Sequence, residues 1–305
     1  MNPLQALILG IVQGLGEFLP VSSSGHLVLL QKIFGVGEGA MSFDIIVHLG
    51  TLISLCAVMK DRLLRYLREP FGHIPRMVLA GTVPTVAIVL IFSRFFEKMF
   101  DTGVCLGFGF LFTAAVLYIA ENHKTPGGDA AHGNAPEPGQ ARRRSDTEKS
   151  VTLKGALITG IAQGIAVTPA VSRSGATITA GIICDFGRRA AVEFAFLMSI
   201  PVTLLAVAQD LLKIILNKAG SASGAAAVNG AAANAVNGAA VYAAGPLEML
   251  IGFAASAVTG YFAARFMLNI IQRIRLTWFS LYVGLLGTLV LLDQLFFGLV
   301  FDKFF

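Results

Sequence analysis

Charge is what this chain has least of. Of its 305 residues only 13% are Asp, Glu, Lys or Arg, while 55% are hydrophobic. With a mean hydropathy of +0.73, that shortage excludes an ordinary soluble domain, which carries about 25% charged residues. Cysteine is scarce too. Cys56, Cys105 and Cys184 lie in or beside apolar runs at unrelated spacings, which argues against a zinc site or a disulfide framework and reads as small buried hydrophobes. The chain has no Walker lysine loop, no Gly-x-Ser-x-Gly and no His-Glu-x-x-His, so no soluble-enzyme signature competes for its function. It opens with neither a basic n-region nor a small-residue cleavage site, which predicts that Met1 onward belongs to the mature protein. The net charge of +5 does not indicate nucleic acid, because Lys and Arg cluster between apolar runs instead of forming a basic face.

Long apolar runs take the place of charge. A hydrocarbon core takes about 20 apolar residues to cross, and spans are predicted near 43–59, 77–93, 103–120, 190–212, 246–267 and 276–300. Two further segments, near 4–34 and 153–184, are apolar but interrupted, and they are copies of one another. Ala6-Leu7-Ile8-Leu9-Gly10-Ile11-Val12-Gln13-Gly14 recurs as Ala156-Leu157-Ile158-Thr159-Gly160-Ile161-Ala162-Gln163-Gly164. Val21-Ser22-Ser23-Ser24-Gly25 recurs as Val171-Ser172-Arg173-Ser174-Gly175, so that eleven of twenty positions match between 6–25 and 156–175. Paired apolar halves with Pro/Ser/Gly breaks are the mark of discontinuous helices meeting at one polar site.

Placing the basic clusters at 60–76, 124–154, 188–189 and 265–275 in the cytoplasm gives a consistent zigzag. Arg94 and Lys98 fall on the other side. Segment 4–34 then enters and leaves from outside and segment 153–184 from inside, so the halves are inverted copies. The expected fold is an all-α integral membrane protein with two inverted repeats, about six transmembrane helices plus two re-entrant broken-helix segments. Residues 1–124 form the first repeat and 151–305 the second. Between them, 125–150 is rich in Pro, Gly and charge and reads as a flexible cytoplasmic linker, its arginines at 142–144 serving topology and attraction to membrane lipids. The Ala/Gly/Asn/Ser tract at 219–245 reads as a flexible external loop. Phe296, Phe297 and the phenylalanines from Phe301 to Phe305 read as an interfacial anchor.

The breaks carry the chemistry. Non-helical backbone is tolerated at membrane depth only where protein or a wet cavity surrounds it. Pro20 and Pro169 each end a short helix, and the serines that follow can cap a second one, whose unpaired N–H groups attract anions. Ser22, Ser24, Ser172 and Ser174 are therefore substrate-binding candidates, although serines can also simply cap a kink. The copies differ where reactivity is at stake: Glu17, Ser23 and His26 stand opposite Val167, Arg173 and Ala176. Glu17 shares a helix face with Gln13 and can act as a general base, hold a divalent cation with Gln13, or serve as a partner for Arg173. His26 is a proton carrier, a nucleophile, or only a hydrogen-bonding residue. Arg173 offers the planar fork that matches phosphate oxygens. Asp44, His48 and Glu193 read as braces for the broken helices.

At these residues the chain resembles the undecaprenyl-diphosphate phosphatases of the bacitracin-resistance type. The likeness runs through the stretch from Gln13 to His26, through Phe43-Asp44 to Gly50-Thr51, through Val171-Ser172-Arg173-Ser174-Gly175-Ala176-Thr177, and through Glu193-Phe194 to Pro201. The resemblance implies a multi-pass enzyme of the bacterial inner membrane. It would remove the terminal phosphate of undecaprenyl diphosphate, recycle the lipid carrier for peptidoglycan and envelope polymers, and confer bacitracin resistance. It also implies catalytic Glu17, Ser23, His26 and Arg173, a divalent cation (Mg2+ or Ca2+) at Glu17, a site facing the periplasm, and a homodimer. Two positions depart from the family's pattern: Gln13 stands where relatives often carry Glu, and Ala170 where they usually carry Gly. The first weakens any metal scheme that needs two carboxylates from this helix.

The resulting hypothesis is metal-assisted phosphoryl transfer, with Arg173 neutralising the phosphoryl oxygens and Ser23 the first choice of nucleophile. Unactivated serine is a poor nucleophile, and Glu17 is the best base for it; His26 and an activated water remain alternatives. The rival function is a polyprenyl-phosphate transporter or flippase, since discontinuous inverted repeats are shared with secondary transporters. A pure carrier has less use for a Glu, a Ser and a His gathered opposite an Arg.

Overall fold

The structure, a computed structural model, describes residues 1–36, 40–102, 105–123, 150–224 and 244–301. The linker at 125–149, with its arginines at 142–144, lies outside the described residues, as do 225–243 of the low-complexity tract and 302–305 of the aromatic tail. Among the described residues all regular structure is helical. The first half comprises α1 (Pro3–Phe18), α2 (Ser23–Ile33), α3 (Ala40–Val58), α4 (Lys60–Arg68), α5 (His73–Thr102) and α6 (Leu106–Asn122). The second comprises α7 (Leu153–Ile165), α8 (Arg173–Ile183), α9 (Arg188–Gly224), α10 (Pro246–Ile270) and α11 (Leu276–Leu292), which ends in a short π-helical turn at Asp293–Phe297.

The repeat in the sequence is a repeat in local structure. Asn2 opens α1 with a capping box, its side chain accepting from the Gln5 N–H at 2.8 Å while Gln5 accepts from the Asn2 N–H. Thr152 opens α7 the same way on the Gly155 N–H. After each break the second limb is an 11-residue helix, α2 capped by Ser22 and α8 by Ser172, each hydroxyl accepting from the glycine N–H three residues on.

The halves interlock. The first limb of each broken segment packs mainly on a long helix of the other half, α1 on α10 and α7 on α5, while α6 and α11 lie along one another. Small residues permit the approach: a methyl on Gly10 would sit 2.6 Å from the Gly252 carbonyl, and one on Gly164 would meet the Ile88 side chain at 2.9 Å. The second limbs are treated unequally. Every residue from Ser174 to Ile182 on α8 is buried, whereas α2 buries only Ser23, Gly25, Leu27 and Gln31. The Arg-bearing limb is thus enclosed, while the Ser/His limb packs mainly on α1 and leaves much of its surface outward.

Among the described residues four helices are long and apolar enough to cross a membrane: His73–Phe96, Arg188–Gln209, Pro246–Ile270 and Leu276–Phe297. A fifth is reached if Ser42–Val58 and Lys60–Arg68, bent by 76°, are taken as one broken span. The expectation of about six is met only at that coarser level. The predicted span at 103–120 becomes α6, which at 17 residues is roughly 26 Å long, short for a crossing. The expected external loop at 219–245 is also revised at its start, because α9 carries on as helix to Gly224. Large apolar side chains such as Leu79, Ile91, Phe262, Trp278 and Leu285 face outward, as lipid-facing residues must. The three cysteines are unpaired and half-buried, in keeping with a packing role.

One of the expected braces of the broken helices is in place, while Glu193 ties α4 to α9 instead. Asp44 on α3 accepts from the Gln31 amide on α2 at 2.7 Å, which ties the second limb of the first break to the span after it. Buried Glu193 holds Arg62 of α4 and, at 2.9 Å, Arg189 of its own helix. His48 pairs its Nδ1 with the Asp44 carbonyl one turn earlier.

Candidate active site

The site is made where the end of α1 meets the start of α8. Glu17 lies in the last turn of α1 with its side chain 10% exposed. Its Oε1 accepts from an Arg173 guanidinium N–H at 2.6 Å, and its Oε2 accepts from the Ser23 hydroxyl and from the Gln13 amide, each at 3.0 Å. One carboxylate therefore joins both halves: α1, α2 and α8 converge on it. A carboxylate this enclosed is tolerable only because a guanidinium and two further donors face it. Gly16 makes the approach possible, since a methyl there would lie 2.9 Å from Ser23 Cα.

The two turns that deliver these groups are built differently. In the first, the left-handed residue is the cap itself, Ser22, at φ 69°. In the second it is Ala170, at φ 62°, two residues before the cap. Left-handed backbone costs a non-glycine residue roughly 1–2 kcal/mol, so a glycine would fit this conformation and Ala170 bears the strain. Its methyl is seated where Gly25 and Gly109 leave space; a methyl on either would meet it at 2.9 Å. Thr113 of α6 holds the turn, donating to the Ala170 carbonyl at 3.2 Å and accepting from the Ser172 N–H at 2.9 Å.

The remaining serines close the junction. Ser22 and Ser24 hydroxyls lie 3.4 Å apart, Ser172 and Ser174 hydroxyls 3.3 Å apart, and Ser174 donates to the Leu19 carbonyl at 3.1 Å. The first-turn N–H groups of α2 and α8, which have no intrahelical acceptor, complete a donor-rich surface around one arginine, an arrangement suited to a phosphate.

His26 is placed otherwise. Both ring nitrogens are engaged away from Glu17: Nδ1 with the Ser22 carbonyl and Nε2 with the Tyr282 hydroxyl, each at 2.7 Å. A carbonyl can only accept, so the neutral ring carries its proton on Nδ1 and takes the tyrosine O–H on Nε2. The ring stacks on Tyr282 and meets Phe110 edge-on. The structure thus gathers Gln13, Glu17, Ser23 and Arg173 and leaves His26 beside them, on the α11 side.

A small cleft opens on the other side, lined by Glu17 and Arg173 together with Gln163, Ser174, Thr177 and Ser199, and by Phe18, Ala195 and Phe196. Sequence reasoning did not single out Gln163, Thr177, Ser199 or Tyr282. Gln163 had a signal, as the repeat mate of Gln13. Tyr282 had none, being one aromatic residue in an apolar span.

Among the described residues no three His, Cys, Asp or Glu side chains gather to hold a metal. The donors present still suit a hard cation. Gln13 is fully buried and its Oε1 has no hydrogen-bond partner, which puts a neutral oxygen ligand beside the Glu17 carboxylate and the Ser23 hydroxyl. Magnesium is commonly held by one carboxylate, with phosphate oxygens and water completing the shell.

Comparison with known proteins gives the family. The family model described as bacitracin resistance protein BacA matches residues 6–289. The undecaprenyl-diphosphatase of Carboxydothermus hydrogenoformans is 42% identical over 96% of this chain and 98% of its own length. Undecaprenyl-diphosphatase 3 of Bacillus cereus is 33% identical over the same shares. An undecaprenyl-diphosphatase of Korarchaeum cryptofilum is 32% identical over 95% of this chain and 99% of its own. The chain, a multi-pass helical protein with its candidate site residues in the matched region, belongs to the bacitracin resistance protein BacA family.

Proposed function

We propose that this chain is a membrane hydrolase that removes the terminal phosphate of undecaprenyl diphosphate and leaves the lipid monophosphate. The observation that carries the reading is the Glu17 carboxylate, which accepts the Ser23 hydroxyl on one oxygen and Arg173 on the other. A carrier needs the arginine; it has no need of a serine hydroxyl aimed at a base. In the first step Ser23 Oγ attacks the terminal phosphorus, Glu17 takes the serine proton, and the lipid phosphate departs. Arg173, with guanidinium N–H groups beyond the one on Glu17, steadies the equatorial oxygens with the first-turn amides of α8. A divalent cation held by Glu17, Gln13 Oε1 and the phosphate would supply further charge neutralisation.

Two finer features belong to the same proposal. The reciprocal packing of α1 on α10 and α7 on α5 supports halves related as inverted repeats. Arg188 reaches both Glu121 and the Ile274 carbonyl, and Arg62 joins Arg189 through Glu193. The basic ends of α4, α9 and α11 therefore tie into shared contacts, which supports their lying on one cytoplasmic face of the inner membrane with the site opening to the periplasm.

The test is phosphate release from a long-chain polyprenyl diphosphate by detergent-purified protein, with and without EDTA. Metal-dependent release is expected, together with an acid-trapped phosphoryl label on Ser23. No release from folded protein across several cations and lipids would favour a carrier, and a Ser23→Ala variant within a few-fold of wild type would return the attack to water. Gly16→Ala should push Ser23 off Glu17, because the methyl meets backbone; a loss of about 10²-fold in kcat with KM little changed is expected from a misplacement of this size.

A further inference from the structure

Gln163 is the second-half counterpart of Gln13, and its position is hard to explain by packing alone. Its side chain is fully buried, its Nε2 reaches the Met198 carbonyl only at 3.5 Å, and its Oε1 has no hydrogen-bond partner. Leaving a buried acceptor unpaired is costly, and such an atom in a native structure asks for a missing donor. The same residue lines the cleft beside Glu17 and Arg173. That cleft is small and of mixed lining, with Ser174, Thr177 and Ser199 beside Phe18, Ala195 and Phe196, and its polar groups can supply the two to four partners that a single water needs. An amide oxygen repels a phosphate oxygen but accepts a water proton, so the donor it calls for is water and not the anion.

We propose that Gln163 positions the water that hydrolyses the phosphoserine. The inference rests on Ser23 acting as nucleophile. Ser23 approaches Glu17 at Oε2, whereas the cleft opens beside Glu17 and Arg173 without touching Ser23. Displacement at phosphorus is in line, with entering and leaving oxygens on opposite faces, so the second step needs a water source other than the serine's own side. There the water oxygen bonds to phosphorus and the Oγ–P bond breaks. Glu17, protonated since the first step, returns that proton to the serine oxygen, takes one proton from the water and releases it to solvent as inorganic phosphate leaves.

The experiment follows terminally 32P-labelled polyprenyl diphosphate through the purified full-length protein as wild type, Ser23→Ala, Gln163→Leu and Gln163→Glu, with methanol added as a competing acceptor. For Gln163→Leu, steady-state release should fall by about 10²-fold, acid-trapped phosphoenzyme should accumulate, and the methyl phosphate to phosphate ratio should rise. Accumulated label itself shows that the variant folds and completes the first step. Gln163→Glu keeps an acceptor at this place and should keep the wild-type ratio. Release within about threefold of wild type with an unchanged ratio overturns the proposal, and so does loss of release without label, since the block would then precede hydrolysis. A wild type that never labels, with Ser23→Ala equally active, instead removes the covalent reading on which the inference stands.

Discussion

Arg173→Ala is expected to lower kcat/KM for the diphosphate by on the order of 10³- to 10⁵-fold, the range for losing the arginine that stabilises a phosphoryl transition state. The size follows from position. Arg173 is the first residue of a helix buried along almost its whole length, so its guanidinium is delivered by a rigid element, and no other cation is hydrogen-bonded to Glu17 among the described residues. The substitution should also destabilise the fold. It leaves Glu17, with a side chain 10% exposed, without its counter-charge, and breaking a buried pair from one side costs about 3–5 kcal/mol; the 23% exposure of Arg173 places this case at the low end. The effects separate in a double variant. Glu17→Gln with Arg173→Gln removes both charges and should recover much of the thermal stability in detergent while release stays lost. Arg173→Lys should restore the charge without the fork and return only part of the activity. Recovery of release in the double variant would show that the arginine serves the fold alone.

Much of this site was legible because the sequence repeats. Two glutamines, two serine turns and one unmatched arginine in register, offset by 150 residues, locate both breaks, and both second limbs begin where the motif begins, at Ser23 and Arg173. Periodicity could not show the crossing of the halves, since a glycine on α1 does not reveal that its partner is Gly252 on α10. Nor could it show which way His26 turns. Its direction is decided by Tyr282, distant in sequence, and by a backbone carbonyl within its own turn. Gln163 was visible but unread, because an amide in an apolar helix gains meaning only when its oxygen is seen to lack a donor.

Glu17→Gln is the second large effect and the one that separates chemistry from architecture. The amide is nearly isosteric and keeps one acceptor oxygen, so part of the contacts from Ser23, Gln13 and Arg173 survive, yet it cannot accept the serine proton. A loss of about 10²- to 10⁴-fold is expected, the usual worth of a positioned general base. The pH profile supplies the sharper reading. A base works ionised, so wild-type turnover should rise with pH through the Glu17 titration and fall away in acid as the carboxylate is protonated. Glu17→Gln has nothing to titrate there, so its residual rate should be flat across the same range. A variant that kept the acid limb at near wild-type rate would move the base to another group. His26 is then the first to test, although its Nδ1–H already serves the Ser22 carbonyl and its Nε2 the Tyr282 hydroxyl. Reaching Ser23 would require the ring to give up the tyrosine, so Tyr282→Phe should speed turnover if His26 is the base and leave it near wild type if Glu17 is.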